Sequence, residues 1–148
     1  MGTYFVNLPL RYIQSHPKYL DFFIENGLAP EIGLDTVSLQ YDLSWHAEVA
    51  DQLAAAGLSC AVHLPFVDLQ PGSLDPLILE ATRTRLRQAL EVTAVYNPEH
   101  LIGHAHFTPM YEEHFSQWLG RSVVTWTQFL DGWPDHPPLF LENTCEQD

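Results

Sequence analysis

Five short apolar runs, each parted from the next by a stretch of helical periodicity, set the narrowest limit on what this 148-residue chain can fold into. The runs are Thr3 to Leu8, Glu31 to Leu34, Ser59 to Leu64, His100 to Phe107 and Leu139 to Glu142, rich in β-branched and aromatic residues. Between them the spacing predicts four helices. The first runs from Ser15 as N-cap to Gly27, with Tyr19, Leu20, Phe23 and Ile24 as its apolar face. The second runs from Ser44 as N-cap to Ala56, with Trp45, Val49 and Leu53 one turn apart. Asp75-Pro76 is an N-cap followed by a first-turn proline, so a long third helix extends to Tyr96, where Asn97-Pro98 stops it. Leu79, Leu86, Leu90 and Ala94 form its buried stripe, with Arg83 and Arg87 facing water beside Glu80 and Glu91. The fourth helix spans Glu113 to Asp131, with Leu119, Val123, Trp126 and Leu130 inward and Trp118 and Phe129 alongside.

Strict alternation of strand and helix calls for parallel strands joined by right-handed crossovers. Units of about 30 to 40 residues suit an α/β fold of the parallel (β/α) TIM-barrel type, truncated after its fifth strand. No GxGxxG turn follows the first strand, which weakens the dinucleotide-binding alternative. Residues 1–148 are expected to form a single domain.

Three of the strands end in a residue that can bind a metal: His63 after Cys60-Ala61-Val62, His104 after Leu101-Ile102-Gly103, and Glu142 after Leu139-Phe140-Leu141. In a parallel barrel the carboxyl strand ends carry the active site, so these three converge on one face. Alternation along a strand then puts Ala61, Ile102 and Phe140 inside the barrel and Val62 and Leu141 against helices. Two imidazoles and a carboxylate suit Zn²⁺, Mn²⁺, Fe²⁺ or Co²⁺ rather than Ca²⁺. Glu142 is the strongest of the three, because a carboxylate directly after Leu-Phe-Leu needs a partner. His106, two residues past His104 on the same face, competes with it as ligand. His16, His46, His100, His114 and His136 read as surface or capping residues, and Glu31 as an exposed strand start. The Pro- and Gly-rich loop from Leu64 to Pro76 and the shorter one at Thr108 to Tyr111 are of the functional kind.

Composition excludes some functions. The net charge is −13, from 19 acidic against 6 basic residues, three of which are Arg83, Arg85 and Arg87. Phosphate tracking needs more cations, so nucleic acid is a disfavoured partner and the acidity reads as a solubilising surface. With no long apolar run, no signal-like start, and Cys60 and Cys145 expected as free thiols, the expectation is a soluble, cytoplasmic protein without a membrane partner.

The chain resembles the xylose isomerase-like TIM barrels, which hold sugar isomerases, sugar epimerases and endonuclease IV (AP endonuclease family 2). The resemblance rests on His63-Leu-Pro-Phe-Val-Asp-Leu with Pro71-Gly-Ser-Leu-Asp-Pro76, on His104 after its apolar run, and on Leu141-Glu142-Asn143-Thr144. It covers the chain but only five of the family's eight units. In endonuclease IV-like members it implies that residues placed like His63, His104 and Glu142 are metal ligands. In isomerases and epimerases it implies that Glu142 is a ligand and can exchange the proton beside a carbonyl, while His63 faces the substrate. Asp68 and Asn143 would support the site by loop and outer hydrogen bonds. The implied function is a metal-dependent sugar or sugar-phosphate isomerase or epimerase using Zn, Mn or Co. The alternatives are a phosphodiesterase acting on DNA and a non-catalytic assembly module. Ligands from strands six to eight are missing, and open strand edges imply a homo-oligomer.

Overall fold

A computed structural model describes residues 4–143. Its strands are β1 (Phe5–Pro9), β2 (Ala29–Gly33), β3 (Ala61–His63), β4 (Leu101–His104) and β5 (Leu139–Glu142), in one all-parallel sheet of order β1-β2-β3-β4-β5. The helices are α1 (Leu10–Ser15), α2 (Lys18–Glu25), α3 (Leu43–Ala55), α4 (Pro76–Tyr96) and α5 (Phe115–Asp131), with short 3₁₀ turns at Ser38–Gln40 and Pro109–His114. The α/β parallel architecture predicted from the alternation is therefore present. No helix among the described residues is long and apolar enough to cross a membrane.

One register row explains the core. Leu8 pairs with Ile32, Ile32 with Val62, Val62 with Leu101 and Leu101 with Leu139. This row faces the helices, and it packs with Leu20, Phe23, Val49, Leu53, Leu86 and Phe129 in a single apolar cluster. Gly103 lies on the same face, where a Cβ would come within 2.7 Å of the Trp126 ring on α5. The alternate residues form the concave face. Ala61 and Ile102 are buried there, whereas Phe140 points the same way but stays 56% exposed, because β5 is an edge strand of the described sheet.

Several local expectations are corrected. The first predicted helix corresponds to α2, which begins at Lys18 directly after Pro17, and a short helix that was not expected, α1, precedes it; Pro17 lacks an N–H and disfavours helical geometry at His16, so α1 ends at Ser15. Ser15 is no N-cap; its hydroxyl donates back to the Arg11 carbonyl at 2.8 Å. Asp42, not Ser44, holds the N-cap position of α3. Asp75 caps α4 as predicted, accepting from the backbone N–H groups of Leu77 and Ile78. Ala94, however, is exposed, and Thr82, Ala89, Val92 and Thr93 complete the buried face. Arg83 does not face water freely, because its Nε donates to the Thr125 hydroxyl at 3.0 Å, tying α4 to α5. Arg87 reaches Glu80 two turns away at 2.9 Å. On α5 the buried face is Trp118, Ser122, Thr125, Trp126 and Phe129, so Leu119 and Val123 are exposed, as is Tyr19 on α2.

His46 is the largest departure on the helices. It is fully buried rather than on the surface, with Nδ1 at 2.8 Å from the Tyr96 hydroxyl and Nε2 at 3.1 Å from the Ser38 carbonyl. The Ser38 carbonyl can only accept, so Nε2 carries the proton and the neutral Nδ1 accepts from Tyr96. Burial lowers the His46 pKa from its ordinary 6.5, against a smaller raising effect of the Ser38 bond, and burial raises that of Tyr96. Cys60 is a free, buried thiol bonded to the Tyr96 carbonyl at 3.5 Å; burial, with Glu99 nearby, pushes its pKa up to about 12. Cys145 lies outside the described residues.

A histidine whose folded pKa is depressed binds its proton more readily in the unfolded chain. Stability is therefore full above the ordinary histidine range and falls as pH drops through it. Each pH unit in which the folded imidazole stays neutral costs about 1.4 kcal/mol. Melting at pH 7.5 and pH 5.5 checks this: the wild-type Tm should fall further on acidification than that of His46→Gln, and equal falls would contradict the assignment.

Candidate metal centre

The concave face turns polar at the carboxyl ends of its strands, where each strand supplies one residue. Asn7 on β1 and Glu31 on β2 are in register, His63 on β3 lies one side-chain step further along, and His104 and Glu142 on β4 and β5 form the next in-register pair. Contacts run along the whole series. Asn7 Nδ2 donates to Glu31 Oε1 at 3.4 Å, Glu31 Oε1 meets His63 Nδ1 at 3.1 Å, His63 Nε2 meets His104 Nε2 at 2.9 Å, and His104 Nε2 lies 3.5 Å from Glu142 Oε2. Phe66, from the segment after β3, stacks on the His104 ring at 4.2 Å and 8° and covers the pair of imidazoles.

The predicted triad is thus brought together: one ligand atom each from His63, His104 and Glu142 lies within 4.8 Å of the others. Ligand atoms about 2.0–2.2 Å from a single ion are at most about 4.4 Å apart. The two printed separations, 2.9 Å between the imidazole nitrogens and 3.5 Å from His104 Nε2 to Glu142 Oε2, fall within that limit. The proton inventory fits a cation as well. A carboxylate only accepts, so His63 Nδ1 carries the proton that Glu31 receives, and neutral His63 presents a bare Nε2 lone pair. His104 Nε2 lies 2.9 Å from that lone pair and 3.5 Å from Glu142 Oε2, so a divalent ion placed among the three atoms could be met by one lone pair from each. Three protein ligands leave further coordination positions open, the pattern of catalytic rather than structural sites.

The remaining candidates are placed differently. His106 is not in the cluster: β4 ends at His104 rather than at Phe107, and His106 has a left-handed backbone with φ 56°. Its ring centroid is 5.3 Å from that of His104. Asp68 is exposed, with φ 61°, and lines a cleft of about 400 Å³ that opens beside His63 and includes Asn7, Arg11, Asp35 and Phe66. Asn143 is exposed directly after β5, and Thr144 lies outside the described residues. Glu31, expected at an exposed strand start, is instead only 22% exposed and bonded to His63. Its even spacing from Gly33, level with His63, was the available signal; a charge two positions before a strand's carboxyl end faces the site. His100 is half-buried between Phe5 and Phe140, at ring distances of 5.1 and 5.4 Å, at the amino end of the concave face.

The loop that holds Phe66 and Asp68 is anchored. Gln70 N–H donates to Thr82 Oγ1 at 2.9 Å, Thr125 Oγ1 donates to the Pro71 carbonyl at 2.8 Å, and Arg121 donates to the carbonyls of Ser73 and Leu74. Gly72 sits directly on Trp118, where any Cβ would overlap the indole and come within 2.8 Å of the Trp118 carbonyl oxygen.

No family model matches the sequence, and no curated protein matches it either. Solved structures do match by fold. The TTHB071 protein of Thermus thermophilus, from a crystal soaked with ZnCl2, is 23% identical with a TM-score of 0.63, over 93% of this chain and 54% of that one. A D-tagatose 3-epimerase-like protein is 19% identical with a TM-score of 0.69, over 93% of this chain and 52% of that one. D-psicose 3-epimerase of Clostridium cellulolyticum, solved with D-tagatose, is 13% identical with a TM-score of 0.64, over 85% of this chain and 47% of that one. At these identities the likeness shows the fold, a partial parallel barrel, and the chain spans about half the length of these structures.

Overpacking at the loop anchor gives a direct check on its fixed position. Gly72→Ala should cost about 1–3 kcal/mol, read as a lowered urea midpoint; an unchanged midpoint would mean that the loop is not seated on Trp118.

Proposed function

We propose that this chain contributes part of a divalent-metal-dependent active site for isomerising or epimerising a sugar or sugar phosphate, with Zn²⁺, Mn²⁺ or Co²⁺ as the ion. The supporting observation is the convergence of His63, His104 and Glu142 at the carboxyl strand ends of a sheet that matches D-tagatose 3-epimerase-like structures in fold. The ion, when bound, would polarise the substrate's carbonyl and hydroxyl oxygens as a Lewis acid.

The chain's own residues supply the rest. Glu142 Oε2 faces His104, which leaves Oε1 to take the proton from the carbon beside the carbonyl. The C–H electron pair then moves to form an enediolate. The same carboxyl can return the proton to the neighbouring carbon, completing an aldose–ketose isomerisation as the hydroxyl proton passes between the two oxygens, whereas epimerisation requires a second acid on the opposite face of the enediolate. Phe66, lying over the imidazoles, keeps water from that side. The cleft beside His63 is large enough for a sugar and offers Asn7, Arg11, Asp35 and Asp68 to its hydroxyls. In this reading Asp68 and Asn143 orient substrate rather than hold the metal.

A second reading, metal-dependent phosphodiester cleavage, draws on one feature. His63 joins the ligand cluster through Nε2, as the endonuclease IV-like resemblance implies, rather than standing apart to face a sugar. The acidic balance argues against DNA as its substrate. We also propose that copies associate through the sheet edges. Val6, Tyr12 and Phe22 around β1, Leu141 on β5, and Leu119 and Val123 on α5 are large apolar residues left exposed.

Equilibrium dialysis should find Zn²⁺, Mn²⁺ or Co²⁺ bound, with His104→Ala and Glu142→Ala lowering affinity at least tenfold. With that metal, a panel of ketoses and ketose phosphates should show interconversion that Glu142→Gln abolishes. Turnover of bis(p-nitrophenyl) phosphate without sugar turnover would instead favour the second reading, and no metal binding would overturn both. Sedimentation equilibrium at the mass of one chain would overturn the association.

A further inference from the structure

We propose that Glu31 is a positioning residue for the metal centre: it fixes His63 in the tautomer that turns a bare Nε2 towards the ligand cluster, with Asn7 holding Glu31 in place. The inference rests on the metal reading above and deepens it, because it adds a carboxylate that the triad does not include.

Glu31 faces inward on β2, in register with Ala61, and so starts one side-chain step short of His63. The residue level with His63 on that strand is Gly33, which has no side chain. The Glu31 carboxylate reaches along the strand direction and meets His63 Nδ1 at 3.1 Å. The Asn7 amide donates to the same oxygen at 3.4 Å from the other side. The nearby guanidinium, Arg11, pairs with Asp35 instead, at 3.5 Å. Among the described residues, the partners recorded for the Glu31 carboxylate are therefore Asn7 and His63.

The bond does three things to the imidazole. It requires the proton on Nδ1, because a carboxylate only accepts. It fixes the ring's rotation, so that Nε2 points at His104 Nε2 2.9 Å away. It also places negative charge behind the ring, which makes Nε2 a better donor to a cation. Carboxylates acting through a ligating histidine in this way typically change metal affinity by about 10–100-fold.

Two measurements on the same variants test the proposal. In the metal-free protein at pH 8, the ¹⁵N chemical shifts of His63 should report the Nδ1–H form in the wild type and a mixture of tautomers in Glu31→Ala. Calorimetric titration with Zn²⁺ or Co²⁺ should then show Glu31→Ala binding about 10–100-fold more weakly. Glu31→Gln, whose amide oxygen can still accept from Nδ1–H, should recover much of the affinity and all of the tautomer preference. Unchanged circular dichroism and Tm establish that the variants are folded. A folded Glu31→Ala that keeps both the wild-type tautomer and the wild-type affinity overturns the inference while leaving the metal reading intact. A wild-type chain with the Nδ1–H tautomer set by Glu31 but no metal affinity overturns the metal reading and, with it, the proposed purpose of Glu31.

Discussion

Everything at the site depends on the phase of a parallel sheet. Because side chains alternate, one register row of Leu8, Ile32, Val62, Leu101 and Leu139 commits one face of every strand to the helices. The positions between them have no choice but the concave face. A shift of one residue in any strand would send its polar residue into the apolar cluster and an aliphatic one to the site. Burial of the core row therefore fixes the orientation of Asn7, Glu31, His63, His104 and Glu142 without any contact among them.

Their contacts then solve a second problem. Polar groups buried at the floor of a concave sheet lose water, and each must find a partner or cost on the order of 1–3 kcal/mol. Glu31, His63 and His104, the buried and half-buried members, meet this demand through one another, with the exposed Asn7 and Glu142 at the two ends of the series. The Glu31 carboxylate only accepts, which puts a proton on His63 Nδ1 and turns the bare Nε2 to His104 Nε2, 2.9 Å away. Glu142 Oε2 lies 3.5 Å from the same His104 nitrogen, so this is the place in the series where a cation would meet the most ligand atoms.

Much of this was legible in the sequence, for identifiable reasons. Strand-end positions of His63, His104 and Glu142 followed from apolar runs with abrupt polar ends, and Asp75-Pro76 marked the start of α4 to the residue. What escaped were features set by tertiary neighbours. His46 lies among the apolar positions of α3, but its burial depends on the Tyr96 hydroxyl, 50 residues away. Glu31 looked like an unpaired charge because its partner belongs to another strand. Leu119 and Val123 have core-like periodicity on α5, yet α4 and the anchored loop cover the face carrying Trp118, Thr125 and Trp126 instead. Periodicity gives the direction in which a residue points, not whether a neighbour is there to cover it.

The same distinction bears on Glu142. His63 and His104 stand on strands paired on both sides, and His104 is 9% exposed; Glu142 stands on β5, which pairs only with β4 among the described strands, and is 47% exposed. Its carboxylate is held by solvent-weakened contacts, while the two imidazoles are held rigidly. Water around an exposed carboxylate screens its attraction for a cation, and excluding that water strengthens it. Whatever packs against the free edge of β5 would also cover Phe140 and reduce the rotamers open to Glu142. The affinity of the cluster for a metal and the covering of that edge are therefore coupled: the two histidines define where an ion would sit, and the environment of β5 determines how firmly the third ligand holds it.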